Sequence, residues 1–160
     1  MKILIPAHNI VATKVKSWRD IKDEALELRK FTNDPTDVEG SYKTAYAISH
    51  AQVCDQPKDF FTINEKHKEI IKQFGSWCII NPRIIKKEEE VYWKEACMSF
   101  PYNKPKNVDR WNRITVRYWV PFLGFTRPVK RRFVGLPAFI IQHEMEHARG
   151  TNIYGRNNKA

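Results

Sequence analysis

The spacing of apolar side chains changes character along the chain, and each change predicts a different element. Between residues 17 and 31, Trp18, Ile21, Ala25 and Leu28 recur at three- and four-residue steps, with Asp20, Asp23 and Glu24 early and Arg29 and Lys30 late. That period puts one apolar stripe on a helix, and the order of charges suits its dipole, so an amphipathic helix capped by Ser17 is predicted. Residues 32–44, with Asn33-Asp34-Pro35 and Gly40, read as a loop. Short β-prone runs follow at 46–53, 60–63, 77–80 and 91–93. Ile114, Val116, Tyr118 and Val120 alternate with Thr115, Arg117 and Trp119, the signature of a half-buried strand. Among these runs, 64–75 reads as a short helix opened by Asn64 and ended at Gly75, and Asn81-Pro82 and 86–90 read as turns. A last helix opens near Gly135, carries Pro137 in its first turn and closes at Gly150. Its first half is apolar almost all round, so it should run through the core. Residues 156–160 are expected to form a frayed tail. With no internal repeat, the pattern predicts a single α+β domain over residues 1–160: antiparallel sheets packed around a central helix, with a further helix near the N-terminus.

Composition narrows this picture. A chain of 160 residues, 42% hydrophobic and 29% charged, can bury a core of its own. It holds no apolar run near the ~18 residues of a membrane span, and its first residues do not resemble a signal peptide, so no membrane partner is expected. The three cysteines, Cys54, Cys78 and Cys97, form no C-x-x-C pair, which argues for free thiols in a reducing, cytoplasmic setting. The net charge is +10, with a dense run at Arg127, Lys130, Arg131 and Arg132. Such a surface attracts polyanions, the ribosome included, although a solvated basic face is the plainer reading. No nucleic-acid motif is present, and no specific DNA binding is expected.

The candidate chemistry lies on the last predicted helix. His143 and His147 are four residues apart, about 40° apart in angle and one turn apart in height, so both imidazoles can reach one ion. Glu144 places a carboxylate beside that ion, where it can act as general base on a water; this is the H-E-x-x-H pattern of metal-dependent hydrolases. Two histidines leave a catalytic site one protein ligand short. His8, His50, His67 and the three cysteines are all candidates, and spacing does not choose among them.

Other segments add a resemblance. Glu95-Ala96-Cys97-Met98-Ser99 resembles the E-G-C-L-S motif of peptide deformylases, and His143-Glu144-Met145-Glu146-His147 their H-E-x-D-H. Residues 45–52, Ala45-Tyr46-Ala47-Ile48-Ser49-His50-Ala51-Gln52, are similar to the family's G-φ-G-φ-A-A-x-Q, and Asn81-Pro82 to its I-N-P turn. All occur in the family's order, and the likeness covers residues 45–150. It implies Cys97 as the third ligand beside His143 and His147, holding one divalent ion. A thiolate in the set suits Fe(II) as well as Zn(II), with Ni(II) or Co(II) as substitutes. It implies removal of the formyl group from N-formylmethionyl peptides, with Glu144 moving the proton and the Gln52 amide and Met98 backbone N–H donating to the oxyanion. The methionine pocket would be lined by Tyr46, Trp93, Leu136, Phe139 and Ile140, Ala47 and Glu95 would also contribute to substrate binding, and Glu95 would pair with Arg110. The chain departs from the motifs at Ala45, Ala47, Ser49, His50, Ala96 and Glu146, and its short tail is similar to truncated phage-encoded forms. Two other readings stand beside this one: a zincin-type protease, and a basic ribosome-associated protein with a structural metal. The first normally draws a third ligand from downstream, yet the 13 residues after His147 contain no His, Asp or Glu. The second needs four protein ligands.

Overall fold

Five antiparallel strands pair in sequence order: β1 (Ala47–Ser49), β2 (Phe60–Ile63), β3 (Cys78–Glu95), β4 (Lys106–Phe122) and β5 (Phe125–Val134). Among the described residues, three α-helices complete the computed structural model: α1 (Lys22–Asn33), α2 (Lys68–Phe74) and α3 (Leu136–Ala148). The structure describes residues 1–4, 10–35 and 45–155, so His8, most of the predicted 32–44 loop and the predicted tail lie outside the described residues.

The sheet has two unlike faces. On one, α2 and α3 pack against Phe61, Ile63, Ile79, Ile114, Val116, Tyr118 and Phe133. On the other, α1 and Trp18 pack against Ile48, Phe60, Cys78 and Ile80, covering only the end of the sheet nearer β1. Farther along that second face, Arg117 of β4 and Lys130 and Arg132 of β5 stay exposed. Helix α3 buries nearly every side chain, Gln142, Glu144, Glu146 and His147 included. Gln142 fits there because its amide spans the strand, donating to Trp111 O at 2.8 Å and accepting from Trp111 N at 2.9 Å.

Several expectations need correction. The expected sheets are a single sheet. The run at 46–53 is a strand only over Ala47–Ser49; it then turns as a 3-10 helix over His50–Gln52, where the Ser49 hydroxyl accepts from Ala51 N. The runs at 77–80 and 91–93 are the two ends of one strand, and the turn expected at 86–90 is its middle. There the solvent exposure of successive charged residues hides the alternation. The kinks that the sequence suggests are real but absorbed: register shifts fall between Ile80 and Arg83 and between Ile84 and Lys86, and Asn81 and Glu89 take positive φ. Asn81 is held in that conformation by bonds from its side chain to both Val15 N and Val15 O. The first predicted helix begins as a 3-10 turn, Trp18–Asp20, before α1. The second starts at Lys68 rather than Asn64, and Gly75, at φ 68°, ends it as expected. Strand β5 was not foreseen at all. A buried helix carrying His143 and His147 against an antiparallel sheet, with a helix near the N-terminus, is nevertheless the α+β fold expected.

Candidate metal centre

The last helix and the segment after β3 bring three donors together. Cys97 Sγ lies 3.2 Å from His147 Nε2, and His147 Nε2 lies 3.3 Å from His143 Nε2. All three ligand atoms fall within 4.8 Å of one another. Among the described residues, the cluster includes none of Cys54, Cys78, His50 and His67. His50 is instead part of the α1 side of the fold. Its Nδ1 accepts from Lys58 N at 3.0 Å, and its ring stacks on Phe60. His67 packs on Tyr46.

A second set of bonds aims the first. Glu95, the last residue of β3, accepts from Arg110 through both oxygens, at 2.6 and 2.7 Å, and its Oε2 lies 2.7 Å from His143 Nδ1. That contact fixes the His143 ring with Nε2 toward Cys97 and His147. Arg110 also donates to both oxygens of Glu146, at 2.8 and 3.1 Å. One fully buried guanidinium thus ties the strand before Cys97 to the helix carrying both histidines. The longer Glu146 side chain reaches Arg110 without difficulty, and neither Ala45 nor Ala47 takes positive φ, so these two departures bring no backbone strain.

The electrostatics are those of a cation site. Burial opposes charge on His143, but the Cys97 sulfur and Glu95 beside it outweigh burial and raise its pKa to about 10. The same anionic surroundings favour a divalent cation among the three donors. Burial, followed by repulsion from His143 and Arg110, lowers His147. For Glu95 burial is again opposed and outweighed, by Arg110 and His143, and its pKa falls to about 2. Glu144 differs. Burial raises it to about 7, with His143 pulling back, and its Oε2 is buried without a hydrogen-bond partner. A buried, unpartnered carboxylate oxygen next to three converging soft and imidazole donors is what a metal and its water would satisfy. The residues present therefore fit a divalent ion.

Gln52 faces the same point. Its Oε1 accepts from Ser49 N at 2.9 Å, which leaves the amide NH₂ directed at Ser99 Oγ, 3.3 Å away, and toward Cys97 Sγ at 3.9 Å. Ser99 was missed as a contributor, although it is the last residue of the quoted Glu95–Ser99 motif and the signal was there to read. Around these groups opens a pocket of about 390 Å³. Tyr46, Ala47, Trp93, Glu95, Leu136, Phe139 and Ile140 line it, and Gln52, Met98, His143 and Glu144 also reach it. The Trp93 and Phe139 rings face each other at 4.8 Å and form one apolar wall. Ala45, Lys94 and Ala96 complete the lining; Ala45 and Ala96 stood out in the sequence only as departures from the motifs, and Lys94 not at all.

The chain is similar to known proteins in sequence and in fold. The family model described as "Polypeptide deformylase" matches residues 1–160. A curated relative, peptide deformylase 2 of Bacillus cereus, is 38% identical over 87 residues, covering 52% of this chain and 46% of its own. The aligned part thus spans less than half the length of that relative. The peptide deformylase of Macrococcus caseolyticus is 27% identical over 145 residues, 89% of this chain and 77% of that one. Among solved structures, the PDF of a Vibrio parahaemolyticus bacteriophage, in complex with actinonin, superposes with a TM-score of 0.73 at 25% identity, covering 96% of this chain and 100% of that one. The peptide deformylase of Thermotoga maritima shares the fold with a TM-score of 0.74 at 23% identity, over 97% and 95% of the two chains. From the family model that matches its whole length and the fold that it shares with solved deformylase structures, the chain belongs to the polypeptide deformylase family.

Proposed function

We propose that this chain is a catalytic domain that removes the formyl group from N-formylmethionyl peptides. The observation that carries the reading is the unpartnered Glu144 carboxylate oxygen beside the converged Cys97, His143 and His147, at an apolar pocket. Cys97 Sγ and the Nε2 atoms of His143 and His147 would hold a divalent ion, Fe(II) or Zn(II), which supplies Lewis acidity and an acidified water when bound. Glu144, raised to about 7, sits where a group must both accept a proton near neutral pH and give it back. It takes the proton of the attacking water and delivers it to the leaving amine. The Gln52 NH₂ and the Met98 N–H donate to the oxyanion that develops on the formyl oxygen. Trp93, Leu136, Phe139 and Ile140 exclude water and accept the methionine side chain. Three free thiols suit a cytoplasmic setting, and the basic surface suits a position near ribosomal RNA, where formylated chains emerge.

The test is anaerobic incubation with formyl-Met-Ala-Ser, reading free amine and formate. Glu144→Gln is expected to keep its metal by elemental analysis and to lose turnover by about 10²–10⁴. A variant at wild-type rate would overturn the role of Glu144. Cys97→Ala is expected to lose metal where Cys54→Ala and Cys78→Ala do not. Equal metal content in all three would remove Cys97 from the ligand set.

A further inference from the structure

The open face of the sheet carries charge that the site does not use. Strand register puts Arg83, Arg117 and Lys130 in one cross-strand row, since Arg83 pairs with Arg117 and Arg117 with Lys130. The neighbouring buried positions, Val116 and Tyr118, point to the α3 side, so this row points to solvent, and all three residues are exposed. Like charges directly opposite each other destabilise a sheet. Among the described residues none of the three forms an ion pair; Arg83 only draws on the half-buried Asp59 at longer range. The next row is different, because Glu88 reaches both Lys86 and Arg132, at 3.2 and 3.7 Å. Uncompensated repulsion is therefore confined to one row.

On the other side of that row the face becomes concave. A hollow of about 350 Å³ is lined by Lys14, Lys16, Ser17 and Thr126, with Trp119 and Ile80 among its apolar residues. Trp119 pairs with Ile80 on β3 and Pro128 on β5, one step along from the cationic row, and is 37% exposed. The nearest acid along the Lys14 segment, Asp20, is engaged by the Ser17 N–H at 2.9 Å. An indole face in a cavity rimmed by ammonium groups, next to an unpaired triplet of cations, matches what a single strand of nucleic acid presents: a flat base and regularly spaced phosphates. A lipid surface would meet the cations but has nothing for the recessed indole, and an acidic peptide supplies carboxylates without a stacking partner.

We propose that this face binds single-stranded RNA, with an unpaired base against Trp119 in the hollow and phosphates along Arg83, Arg117 and Lys130. The proposal deepens the ribosome-proximal reading above and rests on it only for the source of the RNA. Because the metal pocket lies on the α3 side, docking through this face leaves that pocket free for a peptide.

The experiment titrates the 160-residue protein into fluorescently labelled dodecauridylate at several salt concentrations, and follows formyl-Met-Ala-Ser turnover in parallel. Arg117→Gln with Lys130→Gln is expected to flatten the slope of log affinity against log salt by about 1.4, two phosphate contacts of ~0.7 each. Trp119→Ala is expected to weaken binding about tenfold or more while leaving that slope unchanged. Both variants should keep the wild-type peptide rate, and a duplex of the same length should bind more weakly than the single strand. The proposal is overturned if Lys68→Gln with Lys72→Gln, on the far α2, weakens binding as much. It is also overturned if anionic phosphatidylglycerol vesicles or polyglutamate bind as tightly as the RNA, or if Trp119→Ala binds like wild type. Loss of peptide turnover in the wild type would sink the deformylase reading and leave the RNA titration readable.

Discussion

Arg110 and Arg113 lie three residues apart on β4, each paired with glutamate, on opposite faces of the sheet. The Arg110 side chain is 0% exposed and binds Glu95 and Glu146; Arg113 is 43% exposed and meets Glu89 at 3.1 Å. The chemistry is the same, but the surroundings are not. Water solvates Arg113 whether or not Glu89 is there, so the pair adds little. Arg110 has no such alternative, and neither do the carboxylates that would be stranded without it. The pleat, which alternates faces residue by residue, decides which arginine organises the site and which decorates the surface.

Removing the buried member should have the largest effect. Arg110→Ala is expected to destabilise the fold by about 3–5 kcal/mol in a denaturant titration, because two buried carboxylates lose their partner. It should also loosen metal binding, since Glu95 then holds His143 from an unsupported position. A loss under 1 kcal/mol would erase the contrast.

Gln52→Ala probes the site side without touching the ion network. One oxyanion donor is worth ~3 kcal/mol, so turnover of formyl-Met-Ala-Ser should fall about a hundredfold at unchanged metal content. The loss should appear in kcat rather than KM, because only the transition state carries the full charge. An unchanged kcat would remove Gln52 from the oxyanion site.

Asp59 is the intermediate case, half-buried and drawn on by Arg83 and Arg149, with no ion pair among the described residues. Burial pushes its pKa up to about 6 against that pull. A raised carboxyl favours the folded state below its ordinary value of 3.8, and that contribution is lost as pH rises through about 6. Asp59→Asn should therefore be more stable than wild type at pH 7–8, on the order of 1–2 kcal/mol after solvent screening, and the gain should shrink toward pH 4. A gain that grows on acidification would reverse the assignment.

Arg113→Ala is expected to change stability by at most about 1 kcal/mol, and to lose even that in high salt. A larger, salt-independent loss would mean that the outer face is organised like the inner one.

The sequence announced these regions unequally. Strand β2 was legible to the residue, because Phe60–Ile63 is a compact apolar run between breakers. Helix α3 was legible because its apolar half abruptly gives way to His143-Glu144 and Glu146-His147, a pattern with few bland explanations. The middle of β3 was not, since Lys86, Lys87, Glu88, Glu89 and Glu90 offer no apolar alternation, and only pairing with β4 keeps them extended. Strand β5 was hidden for a related reason. Of its inward positions only Phe133 is buried, while Arg131 leaves the core to donate to Gln73 O at 2.8 Å. At the site, Cys97, His143 and His147 do converge and Glu95 does pair with Arg110, but the second grip of Arg110, on Glu146, depends on the register of β3 on β4 and the phase of α3 and was not legible. Sequence patterns report burial well; they report long-range pairing only where burial reveals it.

The position of β5 has a consequence for crowding. It is the outermost strand after β4, and its ten residues, Phe125–Val134, offer a backbone edge long enough to recruit a strand from another molecule. Arg127, Lys130, Arg131 and Arg132 on that edge make two copies repel before their backbones can meet, and Pro128 removes one amide from any would-be ladder. The residues that concealed this strand in the sequence thus act as a guard against sheet-to-sheet aggregation.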